Sequence, residues 1–152
     1  MSSIRQQILT KILERINAAG KPSSIVAGRA KGLLGDLVNN PDKVLVTVKP
    51  AKEEIDSNGG QSSYAAERAF YVLIEVECAA APGETPDQTA DPVHSWIVQQ
   101  LTADGTLGGL AKAVREKEIV WTTEEANDFY GRSHWLWIID HATMWNDQER
   151  AI

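Results

Sequence analysis

The chain has 152 residues, 43% hydrophobic and 24% charged, with a formal charge of -6 and a pI near 5.0. That length fits one domain with its own core, and the composition excludes a disordered, collagenous or disulfide-scaffolded chain. The acidic balance lacks the footprint of an autonomous nucleic-acid binder, no apolar run approaches the roughly 18 residues that span a bilayer, and the lone Cys78 permits neither an internal disulfide nor a zinc spacing.

Ile4, Ile8, Ile12 and Ile16 recur every four residues, flanked by Leu9 and Leu13. This spacing predicts a helix with one buried stripe, capped by Ser2 or Ser3 and ended by Gly20 and Pro22. Arg5, Lys11, Glu14 and Arg15 interrupt the same stretch and argue against a signal segment. Ile25–Ala27 reads as a short strand entering Gly28-Arg29, and the Gly- and Asn-punctuated residues up to Pro41 read as a loop. Lys21, Arg29 and Lys31 form a small basic cluster there. The glycines at 28 and 35 lack the following Gly-Lys-Ser/Thr that would hold a phosphate.

Val44–Lys49 alternates as a strand that Pro50 is expected to stop. Residues 51–66 are polar and Gly/Ser-rich, which predicts a long loop carrying Lys52, Glu53, Glu54 and Asp56. Glu67–Ala80 is the strongest strand. Phe70, Val72, Ile74, Val76 and Cys78 share one face, and the other face places Glu75 and Glu77 in solvent. Cys78 continues the inward series and reads as an inert buried thiol. Asp91-Pro92 predicts the start of a second helix running through Trp96, Ile97 and Leu101, with His94 exposed in its first turn. A tight turn at Thr106–Ala111 follows, then strands at Val114–Glu125 and His134–Trp145 joined by a connection through Tyr130-Gly131, and a short tail from 146 to 152. The expected fold is α+β in a single domain spanning 1–152: a mainly antiparallel mixed sheet of four to five strands with two helices packed on it.

No catalytic or metal constellation emerges from spacing. His134 and His141 are seven apart and face opposite ways on one strand, as do the neighbours Asp140 and His141. No His-Glu-x-x-His, Cys-x-x-Cys or Gly-x-Ser-x-Gly occurs. Glu75 and Glu77 share a face, so a small acid-base hydrolase using Glu75, Glu77, Asp140 or His141 is the alternative from a different class. Trp121, Trp135, Trp137 and Trp145 crowd into the last 32 residues, and the last three share one strand parity over a span long for one small core layer. Either they all lie in the core, or the strand runs past the core, or part of that face meets another subunit.

The order of elements resembles the tail terminator proteins of long-tailed bacteriophages, also called minor tail or tail-completion proteins. The resemblance rests on the helix Ile4–Ile16, Val26-Ala-Gly-Arg29, the strand Val44–Val48, and Tyr71-Val-Leu-Ile-Glu-Val76. It continues through the helix Asp91–Leu101, Asp104-Gly-Thr-Leu-Gly-Gly-Leu-Ala111, and an ending His141-Ala-Thr143-Met-Trp145 before Asp147. It implies a non-catalytic structural protein without cofactor or metal. Copies close into a ring, typically a hexamer, that caps the tail tube, ends its polymerisation and offers a surface to a neck or head-completion protein. Its implied place is the virion, after assembly in the host cytoplasm, with DNA passing through the lumen unbound and no membrane involved. Ring closure needs one patch of each copy to fit a different patch of the next. Candidates for contact with a neighbour are Arg29, Trp145, Asp147 and Arg150, and for contact with the tube or a neighbour Lys52, Glu53, Glu54 and Asp56.

Overall fold

The computed structural model describes residues 3–29, 42–56, 65–123, 130–144 and 147–151. In chain order these form helix α1 (Ile4–Ile16), strands β1 (Ile25–Gly28), β2 (Val44–Asp56) and β3 (Ala65–Ala79), helix α2 (Pro86–Thr102), and strands β4 (Ala113–Thr123), β5 (Tyr130–Met144) and β6 (Asp147–Ala151). The strands make one sheet in the order β1-β2-β3-β5-β4, with β6 on β5 beyond β4. Only β1 and β2 run parallel. The fold is α+β with a mainly antiparallel mixed sheet, as the element pattern predicts. The sixth strand comes from the expected tail.

Strand β3 is paired along both edges for almost its whole length, with β2 on one side and β5 on the other. Its alternation therefore sorts the molecule into two faces. Phe70, Val72, Ile74, Val76 and Cys78 join Val44, Val46 and Val48 of β2 and Trp135, Trp137 and Ile139 of β5 in the apolar core. Both helices cover this face. Helix α1 contributes Ile4, Ile8, Leu9, Ile12 and Ile16, and α2 contributes Ala90, Val93, Ile97 and Leu101. Each large side chain so buried stabilises the fold by about 1.5–3 kcal/mol relative to exposure.

Polar contacts fix the helix ends. The Ser3 side chain accepts from the Gln6 N–H, so the N-cap is the second of the two expected serines. At the far end, Trp96 Nε1 donates to the Ile16 carbonyl at 2.8 Å, and Arg15 meets Asp104 at 2.7 Å. Asp104 also organises the Thr106-Leu-Gly-Gly-Leu110 turn. Its carboxylate accepts the N–H groups of Thr106 and Leu107 at 2.8 Å each, and that of Gly108 at 3.2 Å. Those bonds hold Leu107 at a φ of 50°, unusual for a branched side chain, and let it bury completely. Gly108 and Gly109, at φ of 69° and 91°, continue the left-handed path.

Three boundaries depart from the sequence-based expectations. Strand β2 does not end at Pro50 but runs to Asp56, with a bulge between Pro50 and Lys52. The reason is that among the described residues β1 stops opposite Thr47 and no strand lies beside Pro50 on that side, so the missing N–H costs no ladder bond there. Of the predicted 51–66 loop, residues 51–56 belong to β2 and 65–66 to β3; residues 57–64 lie outside the described residues, as do residues 30–41 of the predicted loop before them. Helix α2 starts at Pro86 after the Thr85 N-cap, where the Thr85 N–H donates to the Gln88 side chain, and Asp91-Pro92 lies inside it. Two Pro-led start signals lie six residues apart, and the first prevails because Pro92 sits on the exposed side of the helix. Finally, Tyr130-Gly131 belongs to β5 instead of a connection.

Gly131 is where α2 meets the sheet: a Cβ built there falls 2.5 Å from Cβ of Pro86. Gly131→Ala is expected to destabilise the fold by about 1–3 kcal/mol, as overpacking does, read as a lower denaturation midpoint in urea. Gly28, with open space around its position, should accept Ala with a much smaller change.

Candidate functional site

The residues singled out as contact candidates fall into three settings. Arg29 follows β1 directly, and its Nε donates to the Val48 carbonyl at 2.9 Å, one residue past the last β1–β2 pair. Its Nη1 reaches Gln6 at 3.2 Å, so this guanidinium extends the ladder within its own chain. Lys52, Glu54 and Asp56 lie on β2, exposed, on the face without helices. Lys52 pairs with Glu54 at 3.0 Å and sits 4.5 Å above the Tyr71 ring. Asp147 and Arg150 lie on β6, whereas Trp145 is outside the described residues.

Glu53 has a different setting. The bulge before Lys52 turns it to the opposite face, where Arg68 Nη1 approaches to 2.6 Å and His141 Nε2 to 3.2 Å. All three side chains are buried. Burial pushes the Glu53 carboxyl up, but the hydrogen bonds from His141 and Arg68 outweigh it and hold the group below its ordinary value of 4.5. This is a clamp joining β2, β3 and β5 rather than a surface contact. Pro50 is the sequence signal for a bulge or an edge, but it does not say which later residue turns inward, so the spacing of Glu53, Arg68 and His141 does not reveal the cluster.

Glu75 and Glu77, expected in solvent, are buried on the helix-free face. Their strand is flanked on both sides, and the neighbouring long side chains fold over them. Lys49 reaches Glu75 at 2.9 Å and Arg132 reaches Glu77 at 3.1 Å. Arg115–Asp140 at 2.9 Å and Lys112–Glu67 at 2.8 Å continue this pattern of crossed charges over the same face.

His94, expected to be exposed, is buried because it flanks the apolar stripe Ala90, Val93, Ile97 and Leu101 that α2 turns onto the sheet. Its Nε2 lies 2.9 Å from Oγ of Ser133, and its ring packs edge-on against Trp121 and Trp135, with centroids 4.9 and 5.0 Å away. Ser133 is 0% exposed, so no substrate reaches its oxygen and the pair acts as a pin between α2 and β5. Cys78 is buried as expected. Burial and the nearby Asp87 charge push its thiol up to about 11, and its Sγ contacts the Pro86 carbonyl at 3.2 Å. It is therefore a poor nucleophile.

Beside the His94 pin runs the most apolar exposed stretch among the described residues. Ile119 is 39%, Val120 51% and Trp121 43% exposed, consecutive on the outermost strand β4. Trp135 and Trp137, by contrast, are core residues, and their rings lie 5.1 Å apart. A shallow cleft of about 490 Å³ lies over this stretch, lined by Asp91, His94, Glu116, Ile119, Trp121 and Trp135. A second of about 480 Å³ adjoins it at Pro86, Asp87, Asp91, Trp121, Thr122 and Gly131. Three exposed apolar residues in a row on an outer strand are the signature of a contact surface. The sequence marks Trp121 only as one of several crowded tryptophans. Its exposure follows from β4 being last in the strand order. Among the described residues no helix is long and apolar enough to cross a membrane, and no cluster of His, Cys, Asp and Glu is placed to hold a metal ion.

Compared with family models and with curated proteins, the chain matches none.

Two stability measurements follow from this geometry. Arg68→Met leaves Glu53 buried with one partner fewer and is expected to cost about 3–5 kcal/mol in urea unfolding. Burial holds His94 below its ordinary value of 6.5, against the opposing pull of Asp91 and of the Ala90 carbonyl. The unfolded chain then takes up a proton near pH 6.5 that the folded chain takes up only at lower pH. Stability falls as pH drops through 6.5 and levels off below the folded value. Between about pH 7.5 and pH 5.5, His94→Gln is expected to show a shallower loss of midpoint than the parent chain. The Glu53 contribution lies apart from this window, because it is lost only below 4.5.

Proposed function

We propose that this protein acts by shape: its copies close into a ring that caps a bacteriophage tail tube, ends tube growth and presents a surface to the neck. The observation that carries the reading is the exposed Ile119-Val120-Trp121 stretch on the outermost strand, a surface that calls for a macromolecular partner. The order of elements supports it too, since the helix, strands, helix, Thr-Leu-Gly-Gly-Leu turn and closing strands follow the resemblance in sequence.

The four groups a hydrolase would use favour the structural reading over the enzymatic one. Glu75, Glu77 and Asp140 are each tied into an ion pair on the helix-free face, while His141 is clamped by Glu53 on the other. Among the described residues they lie on two opposite faces of the sheet. The charges of the helix-free face are crossed in pairs, so such a face turned toward a lumen would exert little net pull on a passing phosphate backbone. In this reading six copies form the ring, the tube protein and a neck protein are its partners, DNA slides through without specific binding, and the mature place is the virion.

Phage particles assembled without this chain test the reading by electron microscopy. Overlong tails of uneven length that fail to join heads are the expected result, with normal length restored when the protein is supplied. Joined tails of normal length would refute it.

A further inference from the structure

We infer that the joint between neighbouring copies is a head-to-tail sheet continuation, in which the β4 edge of one copy pairs antiparallel with the β1 edge of the next. This rests on the ring reading and names the surfaces that close the ring.

The two strands end the sheet on opposite sides, and among the described residues each has a single strand partner, β2 for β1 and β5 for β4. Following directions across the ladder, β1 runs with β2 and opposite to β3, β5 reverses β3, and β4 reverses β5. The two outer strands are therefore antiparallel to one another. Copies related by rotation about an axis along the strands bring β4 against the next β1 in that sense, the stronger of the two pairing modes. An isologous β4–β4 contact would leave β1 bare and stop at two copies, whereas joining unlike edges generates a ring.

The ladder also places the two edges at the same height. Val26 pairs with Leu45, Leu45 with Glu77, Glu77 with Arg132, and Arg132 with Thr122. By the same route Ala27 is level with Trp121, and Gly28 with Val120. The four residues of β1 thus face Thr123 to Val120 in the next copy, a row that includes exposed Trp121 and Val120. Val26, 49% exposed, supplies an apolar side chain to that row.

The flanking charges are opposite. Exposed Asp87 and Asp91 at the start of α2 flank the Trp121–Thr122 end of β4, while further along the strand Glu116 and Glu118 alternate with Arg115 and Lys117. Lys21 precedes β1, and Lys43, loosely paired with Asp42 at 3.9 Å, precedes β2 beside it, at the end of the sheet where α2 also begins. Like edges repel and unlike edges attract, so the charges select the heterologous joint over both isologous ones.

Reversing charges edge by edge tests the joint in the full chain, with circular dichroism to verify folding and light scattering coupled to size exclusion to read assembly. Asp87→Lys with Asp91→Lys makes the β4 side of the joint basic, and Lys21→Glu with Lys43→Glu makes the β1 side acidic. Either double variant alone is expected to weaken self-association at least about tenfold. A single chain carrying all four changes is expected to assemble again. Recovery in that chain is specific to the head-to-tail joint, since an isologous β4 contact would stay repelled. Val26→Cys with Thr122→Cys in one chain is expected to give a ladder of disulfide-linked oligomers, as pair distances across an antiparallel ladder match those of a disulfide. The native Cys78 is buried and stays out of the reaction.

If the parent chain forms rings and both double variants assemble as it does, this joint is overturned while the ring reading stands. If the four-change chain stays dispersed while the parent forms rings, the joint is likewise overturned. Rescue without cross-linking retains the joint and overturns the level register. A parent chain that stays monomeric at high concentration and on tail tubes overturns the ring itself.

Discussion

Strand β3 is the constraint on which the rest of this protein depends. Paired along both edges, it has no free backbone, and its side chains alone decide what lies above and below the sheet. One set, Phe70 to Cys78, is apolar and recruits both helices. The other contains Glu75 and Glu77, which are screened from water by neighbouring strands and answered by Lys49 and Arg132. A carboxylate buried at the centre of a sheet is tolerated only when a cation reaches it from the next strand. The two-sided pattern therefore depends on correct register, because a slip of one residue would exchange the faces.

The polar groups inside the fold act as fasteners. Glu53, Arg68 and His141 tie three strands together beyond the part of the core that the helices fill. His94 and Ser133 tie α2 to β5, and Trp96 ties α2 to the end of α1. Each joins elements distant in sequence. They leave Ile119, Val120 and Trp121 exposed on the outermost strand β4. Exposed apolar edges are usually blunted by charge or proline. Here Ile119, Val120 and Trp121 stay apolar and acidic residues gather around them, as suits a selective contact instead of indiscriminate aggregation.

Local rules made much of this legible. The four-residue spacing of Ile4 to Ile16 fixes α1 because burial on one stripe dominates any weaker preference. The alternation from Phe70 to Cys78 fixes β3 and places the thiol inside. The Gly-Gly of the 106–111 turn marks a left-handed path that few other residues tolerate. The α+β class follows from these elements in order. Where the reading failed, a neighbour decided. Pro50 stops a strand only if its missing N–H faces a partner, and β1 ends too soon to provide one. Asp91-Pro92 reads as a helix start only until Thr85-Pro86 supplies an earlier one. Glu75 and Glu77 read as solvated because a period of two says which face they share, not what folds over it.

The sequence by itself determined the periodicities, the turn chemistry and the class of fold, since those depend on residues within a turn or a strand of each other. Tertiary structure alone decided the strand order, the burial of Glu53, Glu75, Glu77 and His94, and the exposure of Trp121. Each of those depends on which strand lies beside which, and pairing is set by contacts between residues far apart in the chain, where no local spacing carries the information.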